Sequence, residues 1–223
     1  MTLSVEESRH AKNVLRLSEG DEITLFDGSG KEYTAVVDGI AKDAVHVHVV
    51  RESASDREPQ TAVTLLVGAL KGDKTELVVQ KATELGVGKI GVFSSRYCAA
   101  YMNENKLDRL RRVAREAAKQ CLRASIPQVE YYDSLEEALL SGAACENKLF
   151  ACEFLPSGGE GLQHLTGDVC AVVGSEGGFS EEEYAGAQEL GYRGISLGKR
   201  ILRAETAAIA LTAVVMYAAG ELQ

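Results

Sequence analysis

Residues 172–180 read Val-Val-Gly-Ser-Glu-Gly-Gly-Phe-Ser. The two valines close an apolar run that begins at Val169, long enough for a buried strand and too short for a buried helix. The glycines that follow make a turn, and Ser180 with Glu183 has the Ser-x-x-Glu spacing of a capping box, so a helix begins there. Buried strand, turn and helix in that order are the unit of an α/β sheet. The same rhythm can be followed outward in both directions.

Toward the amino terminus, Val63–Leu70 (VTLLVGAL) is a second buried-strand run. Asp73-Lys74-Thr75-Glu76 resembles a capping box and opens a helix to about Leu85. Ile90–Phe93 reads as a strand, and Leu107–Arg123 as a long amphipathic helix with Leu107, Leu110, Val113, Ala114, Ala117 and Cys121 on one face. Short strands follow at Gln128–Tyr132 and Leu149–Cys152, with a helix starting near Ser134. Toward the carboxyl terminus a short strand at Ile195–Leu197 precedes a last helix, from about Glu205 to Ala219. The alternation predicts a mostly parallel sheet covered on both faces.

Before residue 51 the rhythm differs. Ser4–Leu17 reads as a short helix with Val14 and Leu17 turned inward. Glu22–Asp27, Lys31–Ile40 and Ala44–Val50 read as strands, the first two joined by the turn Asp27-Gly28-Ser29-Gly30. Several short strands with tight turns predict a small β-barrel. Arg51–Thr61 is polar, contains Pro59 and has no apolar period, which reads as a linker. The expected organisation is a barrel domain over 1–56 and an α/β domain over 62–223.

Composition narrows the function. With 45% hydrophobic and 26% charged residues the chain has a globular balance. The first residues, MTLSVEESRH, lack the basic-then-apolar pattern of a secretory signal, and the greasiest stretch, Ala207–Ala219, is too short to span a bilayer, so no membrane association and a cytoplasmic location are expected. Five cysteines without a Cys-x-x-Cys pair argue against a disulfide framework and a zinc site. A net charge of −9 is unusual for a nucleic-acid binder. Between Asn103 and Ser125, however, seven basic residues (Lys106, Arg109, Arg111, Arg112, Arg115, Lys119, Arg123) face three acidic ones, a local stripe that is compatible with RNA.

Three motifs bear on chemistry. Gly86-Val87-Gly88-Lys89-Ile90-Gly91 matches Gly-x-Gly-x-x-Gly, but a helix precedes it and a strand follows, the reverse of the dinucleotide-binding context; it reads as a glycine helix stop. The Gly174–Gly178 turn has the glycines that let backbone amides approach a ligand. The spacing of a phosphate loop is absent and Glu176 would repel phosphates, whereas the sulfonium and amino groups of S-adenosylmethionine would tolerate a carboxylate. The competing reading is a plain strand-to-helix turn. In Leu197-Gly198-Lys199-Arg200-Ile201-Leu202-Arg203-Ala204-Glu205-Thr206-Ala207 a short strand delivers Arg200, Arg203 and Glu205 to the start of an apolar helix; there the competing reading is arginines that pair with acids or cap carbonyls. Ligands of open α/β sheets bind beyond the carboxyl ends of the strands, so both loops are expected at one pocket.

At these residues the sequence resembles the small-subunit ribosomal RNA uridine N3-methyltransferases of the SPOUT superfamily. The likeness rests on His10–Leu17 (HAKNVLRL), Lys81–Val87 (KATELGV), Arg112–Arg123 (RVAREAAKQCLR), Gly174–Phe179 (GSEGGF) and Leu197–Ala207 (LGKRILRAETA), in that order along nearly the whole chain. It implies a PUA-like β-barrel that helps hold RNA, then an α/β domain tied in a trefoil knot, in a homodimer with the reaction site near the subunit interface. It implies that Gly174, Ser175, Glu176, Gly177, Gly178, Leu197, Gly198, Ile201 and Leu202 contact S-adenosylmethionine, with Arg200, Arg203 and Glu205 at the reaction site. The substrate implied is 16S ribosomal RNA, methylated at N3 of a specific uridine in its decoding region in the small subunit. The short Arg- and Phe-containing strand that commonly opens family members has no counterpart before the His10 helix. The Ser-Leu-Asn type of motif that ends ribose 2′-O-methyltransferases is replaced here by Leu197–Thr206, which favours base methylation.

Uracil N3 carries a proton in neutral water, so methylation there needs a base and a cation for the charge that develops. Arg203, with Arg200, is the expected charge stabiliser; Glu205 is a base or an orienter of the arginines, and Glu176 serves the cofactor. RNA docking is expected on Arg9, His10, Lys12 and Arg16 and on the helix carrying Arg112, Arg115 and Arg123, although a run of charge is more often a solvated face. His46 and His48 share a strand face without a third ligand in view, so no metal is expected. Two other functions are compatible with the sequence: a base methyltransferase for another RNA such as transfer RNA, and a non-enzymatic RNA-binding assembly factor. A nucleotide hydrolase is weaker, since it lacks both phosphate-loop spacing and a metal constellation.

Overall fold

The computed structural model describes residues 1–153, 162 and 164–222. These fall into two compact units, one of Met1–Glu58 with Arg123–Ser125 and one of Pro59–Leu122 with Ile126 onward. Residue 223, the expected last residue of the second domain, lies outside the described set.

In the first unit, α1 (Val5–Asn13) is followed by the antiparallel strands β1 (Glu22–Phe26), β2 (Lys31–Ile40) and β3 (Val45–Ala54), in spatial order β1-β2-β3. The alternation of β3 decides its packing: Val45 and Val47 join Ala35, Val37 and Ala11 in a small core, while His46 and His48 face outward. Ser4 caps α1 by accepting a bond from the Glu7 N–H. The helix ends four residues earlier than expected, because Arg16 takes a left-handed φ of 54° and turns the chain; Leu17 still packs on the core, but Val14 is exposed rather than inward.

The expected linker is shorter than its composition suggests. Arg51, Glu52, Ser53 and Ala54 continue β3 opposite Lys31–Thr34. Their polar side chains are exposed, and pairing of the backbone is what fixes them as strand. Residues 123–125 return to this unit after a left-handed Leu122 (φ 62°). Arg123 there is buried, its guanidinium donating to Glu58 at 2.9 and 3.2 Å, and the same carboxylate accepts the Ser125 N–H. Glu58→Ala removes the carboxylate that accepts from a buried guanidinium and from the Ser125 N–H, and is expected to cost about 3 kcal/mol of stability in urea titrations.

The second unit is a six-stranded parallel sheet among the described residues. Its elements are β4 (Val63–Gly68), α2 (Lys74–Glu84), β5 (Lys89–Phe93), α3 (Glu104–Gln120), β6 (Gln128–Tyr132), α4 (Leu135–Ser141), β7 (Asn147–Ala151), β8 (Val169–Val173), α5 (Glu181–Glu189), β9 (Arg193–Ile195) and α6 (Ala204–Ala218). The strand order is β6-β5-β4-β8-β7-β9. Alternate residues of the central strands bury opposite faces: Leu65, Val67, Ala171 and Val173 pack with α2, α3 and α6, and Leu66, Cys170 and Val172 pack with α4 and α5. That is why those strands read as unbroken apolar runs. At the supposed dinucleotide motif, α2 ends on Leu85 and Gly86 follows with φ 101°, a helix stop feeding β5.

The order of the strands creates the site. From β4 the chain builds outward through β5 to β6; β8, with β7 and β9 beyond it, occupies the other side of β4. Between the carboxyl ends of β4 and β8 the connections diverge, which leaves a crevice at that edge.

Candidate functional site

Because all six strands run the same way, the loops that follow β4, β7, β8 and β9 emerge at one edge of the sheet. They enclose a cavity of about 490 Å³. Every residue expected at the cofactor site, Gly174, Ser175, Glu176, Gly177, Gly178, Leu197, Gly198, Ile201 and Leu202, lines it, as do Arg200, Arg203 and Glu205.

The loop after β8 is held tightly. Ser175 is buried and donates its hydroxyl to the Tyr97 carbonyl at 3.3 Å, and Gly178 N–H closes the turn on the Ser175 carbonyl. Ser180 and Glu183 then complete a reciprocal capping box at the start of α5. Against this loop lies the end of β4, where a Cβ on Gly68 would stand 2.5 Å from the Ser175 backbone nitrogen. Only a glycine lets the two strand ends approach this closely.

The electrostatics centre on a residue that the sequence reading treated as helix punctuation. Lys74, in the first turn of α2, places its ammonium 3.1 Å from Glu176 and 3.8 Å from Glu205. The expected capping box at Asp73 is absent: Asp73 makes no side-chain cap bond, Thr75 instead accepts from the Leu70 N–H, and Glu76 pairs with Arg109. Glu205, in the first turn of α6, is 12% exposed in its side chain, and its Oε2 is buried without a hydrogen-bond partner. Arg203 occupies the cap position of α6 with its side chain 80% exposed, 4.0 Å from Glu205, too long for a hydrogen bond. Arg200 and Ile201 are exposed on the loop before it.

Glu176 is the better-supported carboxylate. Partial burial alone would raise its pKa, but the Lys71 N–H and the Lys74 ammonium outweigh that and hold it below the usual 4.5. A carboxyl whose folded value is depressed contributes stability that is complete above the unfolded value and is lost as pH falls through the folded one. Lys74→Met removes one of the two supports. It is expected to cost about 1 kcal/mol at neutral pH and to move the onset of acid unfolding to higher pH, measured by circular dichroism across an acid titration.

The residues expected to dock RNA are treated unevenly by the structure. Arg9, His10 and Arg16 are exposed. Lys12 is engaged, donating to the Ala41 and Lys42 carbonyls at 2.9 and 2.6 Å. Arg112 and Arg115 are exposed on α3 without a bonded partner among the described residues. Arg123 does not lie on the helix where it was expected: α3 ends at Gln120, and the guanidinium is buried and donates to Glu58. His46 and His48 bond to Thr2 and Asp38, and no cluster of three metal-ligating side chains occurs among the described residues. No described helix is long and apolar enough to cross a membrane. The five thiols are free, with Cys152 and Cys170 buried.

A parallel sheet with a glycine-rich loop and an arginine-bearing loop at one edge defines the class: residues 56–216 match the model of an RNA methyltransferase domain, and residues 3–50 that of an RNA methyltransferase PUA domain. Among curated relatives, the ribosomal RNA small subunit methyltransferase E of Rickettsia conorii is 32% identical over 92% of this chain and 84% of its own length. That of Bacillus subtilis is 29% identical over 97% and 89%. The crystal structure of the ribosomal RNA small subunit methyltransferase E of Neisseria gonorrhoeae, bound to S-adenosyl methionine, superposes with a TM-score of 0.87 at 33% identity, covering 97% of this chain and 91% of that one. The chain belongs to the ribosomal RNA small subunit methyltransferase E family.

Proposed function

We propose that this protein uses S-adenosylmethionine to methylate N3 of a uridine in the decoding region of 16S ribosomal RNA, within the small ribosomal subunit in the cytoplasm. The observation that carries the reading is the meeting of the 174–178 and 197–202 loops around a single cavity. Its volume of about 490 Å³ is in the range of small-molecule sites. The lining also brings Glu176 and Glu205 to the cavity, and Glu205 Oε2 accepts no hydrogen bond, which leaves an acceptor for the cofactor's or the substrate's donors. The bound cofactor supplies an electrophilic methyl group on a sulfonium.

This chain's own residues then have three tasks. Glu176, held by the Lys71 N–H and the Lys74 ammonium, keeps the glycine loop in place on the cofactor side of the cavity. Glu205, with a free acceptor oxygen, takes the N3 proton of the uridine. Arg203, with Arg200, faces the uracil carbonyl oxygens and stabilises the negative charge left on the ring. Alignment of N3 with the methyl group supplies the rest.

In the same reading residues 1–56 hold RNA and residues 62–223 carry out transfer, with the last segment threaded as a trefoil knot. The protein acts as a homodimer. Ile201 beside the cavity is 88% exposed, and Val214 and Tyr217 on α6 are also open, which gives apolar surface for a second copy to cover. The test is mass spectrometry of 16S ribosomal RNA from a strain deleted for the gene, with calorimetry of cofactor binding to the purified protein. One methyluridine should disappear and return on complementation. An unchanged ribosomal RNA profile together with loss of a transfer-RNA methyl group would move the substrate elsewhere, and no heat of cofactor binding would make this a non-enzymatic RNA-binding protein.

A further inference from the structure

A second cavity, of about 350 Å³, lies between the loop that follows β4 and the segment leading from β5 to α3. Its floor is apolar, with Leu70 and Leu110 buried. Its rim carries Tyr101, Lys71, Lys106 and Arg109. Tyr101 is 74% exposed, and the Lys106 ammonium stands 5.9 Å from its ring centroid, fixed there by a 2.6 Å bond to the Tyr101 carbonyl. The Arg109 guanidinium is positioned by Glu76 at 2.8 Å. The Lys71 side chain has no bonded partner among the described residues; its backbone N–H is the group that holds Glu176.

Three cations against one carboxylate favour an anion, and an exposed aromatic ring beside an apolar floor favours a flat ring. Single-stranded nucleic acid presents both, a base to stack and a phosphate to pair. The two cavities are also neighbours: within one turn of α2, Lys74 lines the first while Thr75 and Glu76 line the second. A strand with its target base in the first cavity therefore carries its next nucleotide toward the second.

We propose that the second cavity is a nucleotide subsite, which takes the base adjoining the target uridine against Tyr101 and its phosphate on Lys71, Lys106 and Arg109. This rests on the RNA-methyltransferase reading of the first cavity. The experiment uses the full chain and a small-subunit ribosomal RNA fragment containing the target uridine, intact or with an abasic nucleotide on one or the other side of it. Tyr101→Ala is expected to raise KM for the intact fragment roughly tenfold, with Tyr101→Phe within about twofold of the parent. Lys71→Ala should also raise KM and flatten its dependence on salt by about one counterion. Cofactor Kd from calorimetry should be unchanged in both Tyr101 variants. One of the abasic fragments should raise the parent's KM by a similar factor and add nothing further in Tyr101→Ala, since both changes remove the same contact. Parental KM in Tyr101→Ala, or abasic and Tyr101→Ala effects that simply add, would overturn the subsite and leave the methyltransferase reading standing. A parent protein that binds no cofactor and methylates no RNA would remove both.

Discussion

Arg203→Ala is expected to lower kcat for RNA methylation by about 10²- to 10³-fold while cofactor affinity stays within about twofold. The asymmetry follows from how Arg203 is held. Its backbone forms the cap position of α6, and its side chain is 80% exposed and 4.0 Å from Glu205, so the guanidinium is not a strut of the cavity. In the proposed mechanism, truncation removes a cation from the place where the uracil ring gains charge and leaves the lining otherwise intact. Arg203→Lys should recover only part of the rate, because an ammonium is a point charge without the planar fork that spans a carbonyl edge. Calorimetry with single-turnover methylation of an RNA fragment separates the two effects. Full turnover in Arg203→Ala would end the stabiliser role.

The second large effect is expected at Gly68, which does not itself line the cavity. An added methyl group would meet the Ser175 nitrogen at 2.5 Å, the Gly174 carbonyl carbon at 3.0 Å and the Ser175 Cα at 3.1 Å. All three are backbone atoms and cannot rotate aside. One residue earlier, Val67 pairs with Val173, so the strands cannot slide and the 174–178 loop must move. Displacements of this size in a positioning loop cost on the order of 10²-fold in kcat/KM, and Gly68→Ala should show a loss of that order with weaker cofactor binding. Overpacking should cost a further ~1–3 kcal/mol of stability. Gly39→Ala, where a new Cβ meets nothing within 4 Å, is the control for a glycine-to-alanine change in a strand. Cofactor binding by Gly68→Ala at the parental Kd would mean that the approach of β4 to β8 does not shape the site.

How much of this was legible in the sequence depended on the length scale of the cause. Runs such as Val63–Leu70 and Val169–Val173 gave the buried strands, and Ser180 with Glu183 gave a cap, because those signals are local. The two cofactor-type loops were legible as strand-end turns. Their meeting was an expectation about sheet edges, which the parallel pairing of β4, β7, β8 and β9 meets. Lys74 and Gly68 were not legible as site residues, since their importance arises from partners about a hundred positions away, Glu176 and Ser175. The place of Arg123 in the fold was misread for a related reason. In sequence it extends a basic helical stripe, but the left-handed Leu122 takes it out of the helix and Glu58 claims it. The polar segment 51–54 was misread because a ladder of backbone bonds leaves no trace in side-chain polarity.

The strand order has a consequence for biosynthesis. A ribosome delivers β4, β5 and β6 as neighbours, so this half of the sheet can assemble as it emerges. β7 arrives next but, among the described residues, pairs with β8 and β9, both made later, and it has no seat until residues 169–173 have been translated. Nascent chains halted between β7 and β8 therefore carry the sequence Asn147–Ala151 as an unpaired, half-apolar edge, the kind of segment that associates with other chains. Arg200, Arg203 and Glu205, the proposed reaction-site residues, are translated later still, after both β7 and β8 have been made.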